Sequence, residues 1–237
     1  MRKIKFLIPL VLVLIGLCLY LYPVLNGRAI DTQMNGDIDQ FLQTQVPEDE
    51  NDPKEEGDMQ RYKLWEDMYE YNQTIMIQEQ IALDSLESCE QPSFHLSDYG
   101  FANEVFGVLT IPSLKLEMPV LLGASDANMA AGAAHLTQTS LPIGGLHTNA
   151  VLAGHRGWGG ADYFLYITEL EYGDIVQIQN PWDLLTYEVC EVSIIEPNDI
   201  ESIRIQPGRD LLTLMTCHPY ASGGRQRYLV ICERVHE

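Results

Sequence analysis

The sequence predicts a mostly β domain, closed or nearly closed on itself and preceded by two helices, and three observations carry that prediction. Beyond Tyr99, short apolar and β-branched runs alternate with turn formers, giving at least seven strand-like segments. Ahead of them, residues 6–25 form a 20-residue stretch without a charge, close to the length a helix needs to cross a hydrocarbon core of about 30 Å. Between the two, residues 60–88 contain neither Pro nor Gly and repeat their apolar positions at helical spacing.

In chain order, residues 1–25 read as a cytoplasmic tip and transmembrane anchor. Arg2 and Lys3 precede the apolar run, and the positive-inside tendency then leaves the N-terminus in the cytoplasm and everything after about Asn26 outside. A cleavable signal peptide is the alternative, but no clear small-x-small site follows Tyr22-Pro23. Residues 26–59 read as an acidic linker. Between Pro47 and Asp58 there are seven acids and one lysine, and such a segment buries too little apolar area to offset its ordering entropy. Its oxygen ligands match no EF-hand spacing, which favours a solvated stalk over a calcium loop.

Residues 60–100 are expected as a helical appendage whose stripe, Leu64, Met68, Tyr71, Ile75, Ala82 and Leu86, docks on the domain that follows or mediates self-association. Residues 101–237 form that domain. Its strand-like runs are 105–111, 118–122, 150–153, 175–178, 184–196, 210–215 and 228–235, with Leu-Pro-Ile-Gly-Gly at 141–145 and Tyr-Gly-Asp at 172–174 as turns.

The 237 residues, 46% of them hydrophobic, suffice for one sizeable core. A formal charge of -20 with only 14 basic residues argues against a nucleic-acid partner, because phosphate neutralisation needs clustered Lys and Arg. The cysteines at 18, 89, 190, 217 and 232 show no Cys-x-x-Cys pairing, so no metal or other cofactor is expected. Cys190 and Cys232 lie in strand-like runs that are either bridged or buried as free thiols.

Chemistry concentrates in Thr-Leu-Met-Thr-Cys-His-Pro-Tyr at 213–220. An apolar strand-like run delivers Cys217 to a turn, as a fold presents a nucleophile. His155 follows the buried-type run 150–153 at Gly154, and Arg225 and Arg227 open another apolar run, so a thiolate, an imidazole and a guanidinium can converge. A free cysteine with a pKa of roughly 8.5 needs such a neighbour to act at neutral pH. His135 and His147 lie in loops of the same region, and His218 adjoins Cys217 but points to the opposite side of an extended segment. The order His before Cys differs from papain-type proteases, and the caspase signature is missing.

These blocks resemble the sortases, cysteine transpeptidases of Gram-positive cell surfaces, whose signature is Thr-Leu-x-Thr-Cys with an upstream histidine and a downstream arginine. The resemblance runs from about Phe106 to the C-terminus. It is most similar to class C, which includes pilin polymerases, in Gly-Ala-Ala-His-Leu-Thr-Gln-Thr-Ser-Leu-Pro-Ile-Gly-Gly at 132–145, Asn-Ala-Val-Leu-Ala-Gly-His-Arg-Gly at 149–157 and Thr-Cys-x-Pro-Tyr at 216–220.

The resemblance implies a sortase-type eight-stranded β-barrel with short helices, and a single-pass protein with its catalytic domain outside the membrane. It implies Cys217 as nucleophile, His155 as acid and base, and Arg227 as oxyanion partner, since Arg-Tyr-Leu-Val resembles the family's Arg-x-x-Val block. Arg225 is the rival guanidinium and a substrate-binding candidate. Thr216 either donates a hydrogen bond to substrate or finishes the strand. The implied reaction cleaves a Leu-Pro-x-Thr-Gly-like sorting signal through a thioester and passes it to an amine. Implied partners are sorting-signal-bearing surface proteins or pilins and an amine acceptor, either a pilin lysine or a cell-wall precursor.

Pilin polymerisation is the leading expectation. Attachment to peptidoglycan is the alternative within the enzymes, and a non-catalytic peptide-binding adaptor the alternative outside them. Class C members commonly carry a second transmembrane segment after the barrel and an Asp-Pro-aromatic lid before it. Here the sequence given ends at Glu237 and Asp52-Pro53 is followed by Lys54, so a remodelled or absent lid is expected.

Overall fold

In the computed structural model, residues 4–45, 55–83 and 89–235 are described. Eight strands close a barrel in the order β1 (Val105–Ile111), β2 (Leu116–Leu122), β3 (Ala133–His135), β4 (Thr148–Ala153), β9 (Asp210–His218), β10 (Gln226–Arg234), β8 (Leu184–Ile195) and β7 (Ile175–Gln179). β7 returns to β1 antiparallel, with Val108 opposite Gln179, and this closes the ring. Closure removes the exposed sheet edges that an open sheet would present. β5 (Arg156–Trp158) and β6 (Ala161–Tyr163) form a separate two-stranded hairpin outside the barrel.

Most contacts between barrel strands are antiparallel, but β2 and β3 run parallel, as do β4 and β9, with Thr148 opposite Asp210 and Ala153 opposite Met215. The two strands therefore end at the same rim of the barrel, and the residues that follow each of them emerge together. β10 then continues the sheet beside β9, with Arg227 opposite Cys217.

The barrel interior is aliphatic and aromatic. Phe106, Leu109, Val120, Leu152, Val176, Tyr187, Leu212, Leu214 and Val230 belong to one buried cluster. On β8 and β10 the register shifts beside Cys190, at Ile231/Cys232. Cys190 and Cys232 are separate thiols on these neighbouring strands. Burial pushes the Cys232 thiol well above its ordinary range.

Helix α2 (Glu55–Ile77) covers the barrel with the face the periodicity marks. Leu64 and Met68 are fully buried in the barrel's own core cluster, with Tyr71 packed against it. Asn72 fastens the helix to the loop after β3 by donating to the Leu141 carbonyl at 3.2 Å and accepting from the Leu141 amide at 2.7 Å. Ala82 lies beyond the helix end and is exposed, and Leu86 falls outside the described residues.

The linker expected over residues 26–59 differs in the structure. Helix α1 (Ile4–Gln45) continues through its first twenty residues as one 42-residue helix. The physical reason is a second, short apolar face: Met34, Ile38 and Phe41 are buried, and Ile38 and Phe41 cluster with Val105 and Val108 of β1. Tertiary burial thus holds a segment whose composition alone is polar. The part of the acidic run at 46–54, including Asp52-Pro53, lies outside the described residues.

Candidate active site

Cys217 occupies the rim end of β9 and is exposed, while Thr216 before it is buried. Alternation along the strand thus aims the thiol out of the barrel and the hydroxyl into it. The Thr216 hydroxyl donates to the Gly154 carbonyl at 2.8 Å, and the Gly154 amide donates to the Met215 carbonyl at 3.0 Å. These two bonds extend the β4–β9 pairing by one residue and bring His155 to the rim beside Cys217.

Gly154 is needed for close approach rather than for a turn. A Cβ there would lie 2.6 Å from the Phe164 ring, so the chain before His155 lies flat on a buried aromatic face. The His155 ring is held on two sides. Trp158 stacks on it at 5.4 Å with planes 22° apart, and Tyr163 meets it edge-on at 5.6 Å. Tyr163 is itself fixed by donating to the Ala130 carbonyl at 2.7 Å.

Partial burial lowers the His155 pKa from its ordinary value, and the carboxylate of Asp126 acts in the opposite sense. The net effect keeps the imidazole neutral near pH 7, the form able to take a proton.

Arg227 stands opposite Cys217 in the ladder, so both side chains share one face of the sheet. Its Nη1 donates to the Gly224 carbonyl at 2.7 Å and to that of Gln226 at 3.2 Å. Gly224, with φ of 77°, is in a left-handed conformation that favours glycine. A Cβ on it would lie 3.0 Å from Arg227 Nη1 and 3.4 Å from Cys217 Sγ. Thiol and guanidinium therefore flank the same glycine.

His155, Cys217 and Arg227 line one cleft of about 220 Å³, together with Thr216, Glu90 and Asp126. Its apolar wall comes from Ala124, Met129, Leu136, Ala153 and Met215. Arg225 is exposed, precedes β10 and does not line this cleft. The strand begins one residue too late for Arg225 to share the face of Arg227.

The remaining histidines sit elsewhere. His147 lies at the far end of β4, where its Nδ1 accepts from the Gly208 amide. His135 is fully buried, with its Nε2 at 2.9 Å from the Ser140 carbonyl. His218 turns to the side away from the cleft, and its Nδ1 accepts from Arg156 Nη1 at 2.9 Å. The same Arg156 reaches the Cys217 carbonyl and the Thr168 hydroxyl, bracing the Cys217 backbone from behind. Among the described residues no group of three or more His, Cys, Asp or Glu is placed to hold a metal ion.

A sortase-domain family model matches residues 109–235, more than half of the sequence. The chain belongs to the sortase family. Among curated sortases it is 29% identical over 131 residues to sortase D of Bacillus subtilis, covering 54% of this chain and 63% of that one. It is 32% identical over 127 residues to sortase A of Bacillus anthracis, covering 54% of this chain and 58% of that one. The chain thus spans less than two thirds of the length of these relatives.

Solved class C sortases superpose over more of it. Streptococcus agalactiae sortase C1, solved in complex with MTSET, matches with a TM-score of 0.69 and 27% identity over 85% of this chain and 97% of that one. Streptococcus pneumoniae sortase C gives 0.67 and 28% over the same shares. The eight-stranded barrel is the sortase fold.

Sequence reading alone did not reveal Arg156, Gly224, Trp158 or Tyr163 as parts of this sortase site. Gly-His-Arg-Gly-Trp-Gly at 154–159 carried the signal for two of them, since an arginine and a tryptophan beside a candidate histidine have few other uses. Glu90 and Asp126 reach the cleft only through tertiary packing.

Proposed function

We propose that this protein is a membrane-anchored cysteine transpeptidase that cleaves a Leu-Pro-x-Thr-Gly-like sorting signal and transfers it to an amine, in pilin polymerisation. The observation that carries the reading is the cross-strand pair Cys217 and Arg227 in one cleft with His155. A nucleophile, a proton carrier and an anion-stabilising group are the three parts that acyl transfer needs.

In this reading His155 takes the proton of the Cys217 thiol, and the resulting thiolate attacks the carbonyl carbon of the substrate's threonine. Negative charge collects on the carbonyl oxygen, beside the Arg227 guanidinium. The tetrahedral adduct collapses to a thioester, and His155 gives a proton to the departing glycine amine. An incoming amine then loses its proton to His155 as it attacks the thioester, which expels the Cys217 thiolate, and His155 returns the proton to restore the thiol. The Thr216 hydroxyl proton is committed to the Gly154 carbonyl, so towards a substrate in the cleft it lines this side chain offers its oxygen as an acceptor. The wall of Ala124, Met129 and Leu136 suits the signal's Leu-Pro side chains.

The likeness to a sortase C1 of a pilus island, and to a sortase C whose structure bears on pilin substrate specificity, supports a pilin acceptor. For the anchor, the supporting observation is that α1 holds the one helix among the described residues long and apolar enough to cross a membrane. The orientation proposed has a cytoplasmic N-terminus and an external barrel.

The test is mass spectrometry of the protein with a Leu-Pro-x-Thr-Gly peptide and, in parallel, lysine-bearing pilin or a cell-wall amine, with Cys217→Ala as control. A thioester on Cys217 that resolves onto pilin lysine is expected. Resolution only onto the cell-wall amine assigns peptidoglycan attachment instead. An alkylatable Cys217 with no adduct to any sorting peptide overturns the transpeptidase reading.

A further inference from the structure

The contact between helix α1 and the β5–β6 hairpin sets where a bilayer surface falls on the barrel. The uncharged run of α1 ends at Leu25, and its 20 residues, rising about 1.5 Å each, fill a hydrocarbon core of about 30 Å. The hairpin tip meets the end of that run and the turns that follow it. Gly160 packs against the Pro23 carbonyl and Gly27 against the backbone of Gly160, with no room for a side chain at either glycine. Asn26 Nδ2 donates to the Gly159 carbonyl at 2.6 Å, and Ile30 packs over Gly159. Residues 23–30 rise about 10 Å, whereas the headgroup layer outside the core is roughly 5–7 Å deep. The hairpin tip is therefore at headgroup depth.

Its side chains suit that depth. Trp158, beside the tip, is 49% exposed although it stacks on His155. On the helix, Tyr20 and Tyr22 are 72% and 68% exposed within two turns of the contact. Amphipathic aromatic rings gather at the boundary between hydrocarbon and water.

We propose that the β5–β6 hairpin rests on the phospholipid headgroup layer of the bilayer that α1 crosses, with Trp158 as its interfacial contact. The candidate cleft then opens at the lipid surface, with one indole ring between His155 and the headgroups. This rests on the anchor reading above, and it names the surface against which the site works.

The test uses the full chain reconstituted in phosphatidylcholine vesicles carrying a nitroxide either on the headgroup or at the acyl terminus, alongside Trp158→Phe. The protein has three tryptophans, so the difference between wild type and Trp158→Phe isolates the emission of Trp158. Flotation of the vesicles reports the anchor independently. The expected result is that the headgroup nitroxide removes about half of the Trp158 emission and the terminal nitroxide far less. Protein that floats with the vesicles but whose Trp158 emission ignores the headgroup nitroxide overturns the contact and leaves the anchor standing. Protein that does not float overturns both.

Discussion

Thr216 Oγ1 donates to the carbonyl of Gly154 at 2.8 Å, so the residue before Cys217 is fastened to the residue before His155. The bond is buried, and it sets the separation of thiol and imidazole through the backbone. Thr216→Val keeps the shape and removes the donor. It is expected to cost about 1 kcal/mol in urea unfolding and to slow thioester formation about 10- to 100-fold through misplacement of the pair. Thr216→Ser, which restores the hydroxyl, should recover most of the rate; equal loss in both variants would argue for a packing role alone.

Gly224→Ala tests the place shared by thiol and guanidinium. The new methyl group meets Arg227 Nη1 and Cys217 Sγ at a φ of 77°, which costs about 1 kcal/mol in backbone strain. Displacing the guanidinium should lower thioester formation about 100-fold, while iodoacetamide still labels Cys217. Unchanged transfer kinetics would remove Arg227 from its proposed role.

The His155 titration has a predictable direction. Burial lowers its pKa and the Asp126 carboxylate raises it. Asp126→Asn removes only the raising contribution, so the pKa should fall further and the acid limb of the rate should move to lower pH. Nuclear magnetic resonance of the His155 ring protons checks this, and an upward shift would contradict it.

His135 should make the barrel acid-sensitive. Burial pushes its pKa from 6.5 down to about 4, so the folded state binds fewer protons than the unfolded one between those values. Stability is complete above the unfolded pKa, falls as pH drops through the window, and levels off below about 4. The full loss is about 3 kcal/mol at 1.36 kcal/mol per unit. Urea unfolding across that range measures the slope, which His135→Asn should flatten.

What the sequence made legible follows from how local each signal is. The long strands were readable because alternating and β-branched runs encode them one residue at a time. β3, β5 and β6, each three residues long, are too short to show a period. The second half of α1 was missed because its buried positions Met34, Ile38 and Phe41 are scattered through a mostly polar stretch, although their spacing of four and three was there to be seen. Cys217, His155 and Arg227 announce themselves by motif. Gly224 does not, because its value lies in contacts across the fold.

The parallel pairing of β4 with β9 joins segments far apart in the chain, Gly154 and Thr216 being 62 positions apart. Such contacts form late, because a long loop must close before they can reward it. A chain that has not finished folding therefore carries an ordinary cysteine and a solitary histidine. In the proposed reading the pairing of thiol with imidazole arrives only when the barrel shuts, so peptide transfer belongs to the mature shape alone.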